Sequence, residues 1–119
     1  MRDFRDLKVW EKAYKPTLDV YKTTRGFPKD ELCGLTTQTR RAAASIPANI
    51  AERCGRMGAA ELARFIQIAM GSASELEFHL LLARHLKMLD ATRYEVLSGQ
   101  VVEVKRMLTA FWQKLKADG

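Results

Sequence analysis

Two histidines, His79 and His85, and two cysteines, Cys33 and Cys54, are the side chains in this sequence best suited to metal or thiolate chemistry. Their spacing assembles no site. A di-iron helical bundle needs paired Glu-x-x-His units. Here Glu75 and Glu77 precede His79 by four and two residues, and His85 follows six residues later on a different helical face. The cysteines fit neither a CxxC unit nor a zinc pattern. Arg53 and Arg56 flank Cys54 and could activate its thiol; a buried structural thiol is the other reading. Ser45, Ser72 and Ser74 lie in helical segments without a nucleophile elbow, and no Gly-rich phosphate loop is present. The expectation is a chain without catalytic, metal or cofactor site and without a small-molecule substrate.

The charged residues are more informative. Lys and Arg number 20 against 14 acids, a formal net charge of +6 that makes an anionic partner plausible. Arg5, Lys8, Lys12, Lys15 and Lys22 recur at three, four, three and seven residues and form one basic ridge, interrupted by Asp19. Such a ridge either tracks phosphates or is a solvated helix face. A second group, Arg40, Arg41, Arg53, Arg56 and Arg64, gathers around a central stretch of unusual composition. Within it Arg41, Ser45, Asn49, Glu52 and Arg56 fall on one polar ladder, about 100° around the helix from Ile46. Ser45 or Asn49 can bond backbone groups freed by Pro47, and Asn49 and Glu52 can orient Arg41 or Arg56. The ladder therefore stabilises the kink or a subunit contact, or touches a ligand or RNA directly.

These residues need long helices to position them. Leu7, Trp10, Tyr14, Leu18 and Tyr21 share one helical face over about 7–25, with Asp6 as cap and Gly26-Phe27-Pro28 as stop. A second helix spans about 35–54. Ala43, Ile46, Ile50 and Cys54 keep their apolar phase across Pro47, so one kinked helix is expected rather than two. A third spans about 59–86, with Leu62, Phe65, Ile66, Ala69, Ala73, Leu76, Leu80 and Ala83 inward; Gly71 and Ser74 would allow close approach of a neighbouring helix. The fourth, about 91–116 behind the cap Asp90, has the cleanest repeat: Tyr94, Leu97, Val101, Val104, Leu108, Phe111 and Leu115. Four such helices predict an all-α, antiparallel up-down-up-down four-helix bundle with a Pro-kinked second helix.

The chain is 119 residues long, the size of one domain, 1–119, able to bury a core without disulfides. Three prolines and seven glycines are too few for a fold of many turns. No apolar run approaches the ~18 residues of a membrane span. The opening MRDFRDLKVW carries charges where a signal peptide needs an apolar core. A cytoplasmic protein with no membrane partner is expected.

Three blocks resemble the 23S rRNA intervening-sequence protein family. Phe4-Arg5-Asp6-Leu7-Lys8-Val9-Trp10-Glu11-Lys12-Ala13 is similar to its opening. Gly34-Leu35-Thr36-Thr37-Gln38, Arg40-Arg41-Ala42-Ala43 and Ser45-Ile46-Pro47-Ala48-Asn49-Ile50-Ala51-Glu52 look like its central signature. Arg64-Phe65 and Gly71-Ser72-Ala73-Ser74-Glu75-Leu76-Glu77 resemble its third block. Arg53 stands where relatives commonly carry Gly, and Gly58-Ala59-Ala60 replaces a Ser-Lys-Lys-like helix start. The resemblance implies a four-helix bundle and a ring-like homo-oligomer, a pentamer. It also implies kinship with the accessory variability determinant of diversity-generating retroelements, a basic pentameric bundle that works with a reverse transcriptase and nucleic acid. The expected function is a non-enzymatic oligomeric bundle that binds RNA or a nucleoprotein partner through Arg5, Lys8, Lys12, Lys15, Arg40, Arg41, Arg53, Arg56 and Arg64. Ser45, Pro47, Asn49 and Glu52 form the structural signature. The alternative is a protein-interaction scaffold whose charge serves solubility.

Overall fold

The computed structural model describes residues 3–53 and 58–118, with only the backbone of Arg53 and Asp118. Four helices run through it: α1 (Lys8–Thr24), α2 (Thr37–Arg53), α3 (Ala59–His85) and α4 (Ala91–Asp118). No strand occurs among the described residues. α1 packs on α2 and α4, and α3 on the same two helices, so the bundle closes with α1 and α3 on one diagonal. A 28-residue helix is about 42 Å long at ~1.5 Å per residue. The molecule measures 44 × 21 × 20 Å, so α3 and α4 set its length. The 17-residue α1 and α2 cover only part of it.

The periodic apolar positions of α4 and α3 go where their spacing places them. Leu97, Val101, Val104 and Leu108 are buried, while Tyr94, Phe111 and Leu115 are half-buried toward the helix ends. Ile66, Ala69, Ala73, Leu76, Leu80 and Ala83 line the core side of α3. α3 ends with Lys87 in the left-handed conformation (φ 63°) and with Met88 N–H donating to the Ala83 carbonyl, a Schellman-type stop. Asp90 Oδ1 accepts from the Arg93 amide at 2.7 Å and starts α4 as expected.

α1 departs from its expected face. The buried residues are Val9, Ala13, Pro16, Thr17, Asp19, Val20 and Thr24. Tyr14, Leu18 and Tyr21 are 40–42% exposed. The core stripe is rotated about 100° from the aromatic one, because the small residues at 13, 16 and 17 let α1 approach α2 closely. The start also differs. Asp3, not Asp6, is the capping side chain: it accepts from the Arg5 amide and opens a single turn of 3-10 helix, Phe4–Asp6. α1 itself begins behind Leu7 without a side-chain cap.

Pro47 lies inside a continuous α2, with Ile46 and Ile50 both fully buried on either side. The proline lacks an N–H for the Ala43 carbonyl. That carbonyl is met from α1, where Thr17 Oγ1 lies 2.9 Å away and 3.1 Å from the Ala13 carbonyl. The connector before α2 holds a 3-10 turn, Lys29–Glu31, and a wide π-type turn, Leu32–Thr36, broken at Gly34.

α1 is tied to α4 through Asp19, which is only 8% exposed. Lys15 Nζ (2.7 Å) and Gln100 Nε2 (3.1 Å) both donate to its Oδ2. Burial pushes the Asp19 pKa up. The two hydrogen bonds, with the Lys15 and Lys22 charges, outweigh burial and leave it below the ordinary carboxylate value. A lowered folded-state pKa contributes stability above the unfolded value of about 3.9, and that contribution disappears as pH falls through the folded value. Thermal melts should therefore show Asp19→Asn less stable than wild type at pH 7, with the gap closing as pH falls below about 4. A gap independent of pH would show that the carboxylate charge is irrelevant there.

Candidate functional site

One residue of the α2 polar ladder, Ser45, meets α3. Asn49 Nδ2 donates to the Ser45 carbonyl (2.8 Å) and to Ser45 Oγ (2.9 Å), and Ser45 Oγ lies 2.8 Å from Ser72 Oγ on α3. Above this contact a polar cleft of about 370 Å³ opens between the two helices, lined by Gln38, Arg41, Ser45, Ser72 and Glu75. Ser45 thus joins α2 to α3, and Asn49 holds Ser45 from within α2. Neither Asn49 nor Glu52 hydrogen-bonds Arg41, and the freed Ala43 carbonyl is taken by Thr17 rather than from within α2. Gly71 and Ser74 are exposed, and a Cβ on Gly71 would meet nothing within 4 Å. Close approach to α3 within the bundle goes through Ser72 instead.

Most of the expected phosphate-binding cations have partners within the chain. Arg5 pairs with Asp3 (2.8 Å), which holds the Asp3 carboxyl down at about 2. Lys12 pairs with Glu103 (3.2 Å), Lys15 with Asp19 (2.7 Å) and Arg64 with Glu61 (3.7 Å). Arg40 Nε donates to Thr24 Oγ1 at 2.8 Å, and its guanidinium sits 5.1 Å from the Tyr21 ring centroid. Lys8 and Arg41 are exposed and, among the described residues, in no ion pair. The Arg53 side chain, Cys54 and Arg56 lie outside the described residues.

A different basic surface forms where the α1–α2 and α3–α4 connections meet. Lys22 and Arg93 line one cleft, and Arg25, Lys29 and Arg40 line a second. Arg84 in the last turn of α3 and Lys87 at its left-handed stop belong to the same end. Among the described residues Lys22, Arg25, Lys29, Arg84, Lys87 and Arg93 form no ion pair. Of the acids at this end, Asp90 caps α4, Glu31 accepts from the Leu35 amide, and Asp30 is exposed. These cations come from four separate stretches of sequence. The only local signal was basic residues in the last turns of helices, which also suits the helix dipole.

Histidine chemistry is not assembled. His79 is buried with both ring nitrogens lacking a hydrogen-bond partner, and the Glu75 carboxylate is 3.8 Å away. Among the described residues, no three His, Cys, Asp or Glu side chains are grouped to hold a metal ion. No described helix is long and apolar enough to cross a membrane.

The bundle and its signature residues match a known family. The family model for the 23S rRNA-intervening sequence protein matches residues 5–110. The chain belongs to the 23S rRNA-intervening sequence protein family. A crystal structure from Bacteroides thetaiotaomicron, a protein of unknown function from the S23 ribosomal protein family, superposes with a TM-score of 0.78. It shares 22% identity, with 87% of this chain and 97% of that chain covered, a likeness that shows the fold. Among curated proteins none matches the chain. In this member of the intervening-sequence family, Ser45 of the central signature meets Ser72 of α3, Asn49 bonds back to Ser45, and Pro47 lies inside α2.

Proposed function

We propose that the protein is a non-catalytic, oligomeric bundle that binds RNA, free or within a nucleoprotein, through the basic end where its α1–α2 and α3–α4 connections meet. The observation that carries this reading is the convergence there of six cations without an ion pair among the described residues, while Arg5, Lys12, Lys15 and Arg64 are occupied by carboxylates. Surface ion pairs are worth only about 0–1 kcal/mol, so the ridge lysines are a secondary contact. The net charge of +6 multiplies across a ring, and avidity strengthens weak sites. Five copies are proposed from the family resemblance. The outer side of α3, with Phe78 58% exposed one turn before Leu81, supplies apolar surface for contact between copies.

A salt titration against single-stranded RNA tests the reading. The log–log slope is about −0.7 per neutralised phosphate on single strands. Changing Lys22, Arg25, Lys29 and Arg93 to Gln should flatten it by about 0.7 for each phosphate no longer neutralised. Changing Lys8, Lys12 and Lys15 to Gln should have the smaller effect. Absence of binding at low salt refutes RNA binding. A larger loss from the ridge variant moves the site to the ridge. Multi-angle light scattering reads the assembly, and a stable monomer at micromolar concentration refutes it.

A further inference from the structure

The basic end continues into an exposed aromatic track along α1, and we infer that this track stacks unpaired bases of single-stranded RNA. The inference rests on the RNA reading above and narrows its ligand to a strand whose bases are free. The track begins at Tyr21, whose ring packs under the Arg40 guanidinium that also lines one basic cleft. It continues to Tyr14, seven residues and about 10.5 Å further along the same helical face. Tyr14 stacks on Trp10 with centroids 4.8 Å apart and planes 17° from parallel, and Trp10 meets Phe4 edge-on at 4.9 Å.

Two features make the track accessible to a base. Tyr14 and Tyr21 are each about two-fifths exposed, although their spacing would serve a core equally well. Opposite Trp10 and Tyr14, α2 presents only Ala44, Pro47, Ala48 and Ala51, so a shallow apolar groove lies between the helices over the Tyr14 part of the track. A planar base entering the groove finds an aromatic face on one wall and a flat aliphatic floor. At the Tyr21 end of the track, Arg40 lies against the ring and Lys22 is the next residue of α1, so the phosphates of a strand leaving the track there meet positive charge. The rise from Tyr21 to Tyr14 matches about three bases at ~3.4 Å each. A duplex hides base faces within its own stack, whereas single strands are recognised by stacking on aromatic and Arg planes. That difference fits this groove to single strands.

The test uses the whole protein with a 15-nucleotide single-stranded oligoadenylate and a blunt RNA duplex of equal length. Wild type should prefer the single strand. Tyr14→Leu/Tyr21→Leu keeps apolar bulk but removes both rings. It should lower single-strand affinity about tenfold or more, leave duplex affinity and the salt slope unchanged, and retain wild-type helicity. In a Trp112→Phe background Trp10 is the sole indole, and its fluorescence should be quenched on binding. Equal single-strand affinity for the tyrosine variant, with the four-cation variant still impaired, overturns the stacking inference and leaves the electrostatic reading standing. No binding by wild type overturns both. A tyrosine variant that changes mass by light scattering shows that the track is covered by another copy, which also overturns it.

Discussion

Ile46→Ala is expected to destabilise the bundle by about 2–5 kcal/mol, a large part of the ~5–15 kcal/mol that holds a domain of this size. Ile46 is 1% exposed and sits immediately before Pro47, with Ile50 one turn further on at 0%. Both reach the core only because α2 continues through Pro47. Truncation there removes buried methyl groups and leaves a cavity that a neighbouring proline, rigid in φ, cannot relax to fill. At roughly 4 °C per kcal/mol, the melting temperature should fall by about 10–20 °C. Val96→Ala, at a position 46% exposed, is the matched control and should cost less than about 0.5 kcal/mol. Urea melts with an unchanged m-value would show that the loss is one of stability alone. Equal costs for the two substitutions would mean that the apolar stripe does not run through the kink.

Thr17→Val is expected to cost about 1–3 kcal/mol in the native background and far less in a Pro47→Ala background. Thr17 is a buried residue of α1 whose hydroxyl lies 2.9 Å from the Ala43 carbonyl. That carbonyl lacks its helical donor because residue 47 is proline. Valine keeps the shape of threonine but removes the proton, stranding a buried acceptor. Pro47→Ala restores an amide to the ladder, and the stranded acceptor regains a partner from within α2. The double-mutant cycle should give a coupling of about 1 kcal/mol or more, measured by chemical denaturation of the four proteins. Additive costs would show that the Thr17 contact and the proline are independent features, and that the kink is satisfied elsewhere.

The all-α class, the four helices and the burial of α3 and α4 were determined by the sequence itself. Their apolar residues recur with little ambiguity of phase, and a helix must bury its apolar side whatever it packs against. The unbroken phase of Ala43, Ile46 and Ile50 likewise settled that α2 continues through Pro47 rather than ending there. On α1, two faces could each have been the core. Trp10, Tyr14, Leu18 and Tyr21 offered the larger apolar area, yet Val9, Ala13, Pro16, Thr17 and Val20 are the buried set. The deciding factor is fit against α2: Thr17 must reach the carbonyl that Pro47 leaves open, and small residues allow that approach. Such a choice depends on a partner surface that periodicity in one helix does not encode. The basic surfaces divide the same way. Local spacing displayed the ridge on α1, but only tertiary structure paired Lys12 with Glu103 on α4. It also brought Lys22, Arg25, Lys29 and Arg93 to one end of the bundle. Charge is carried by residues, whereas its local density and its neutralisation depend on distances between helices that are remote in sequence.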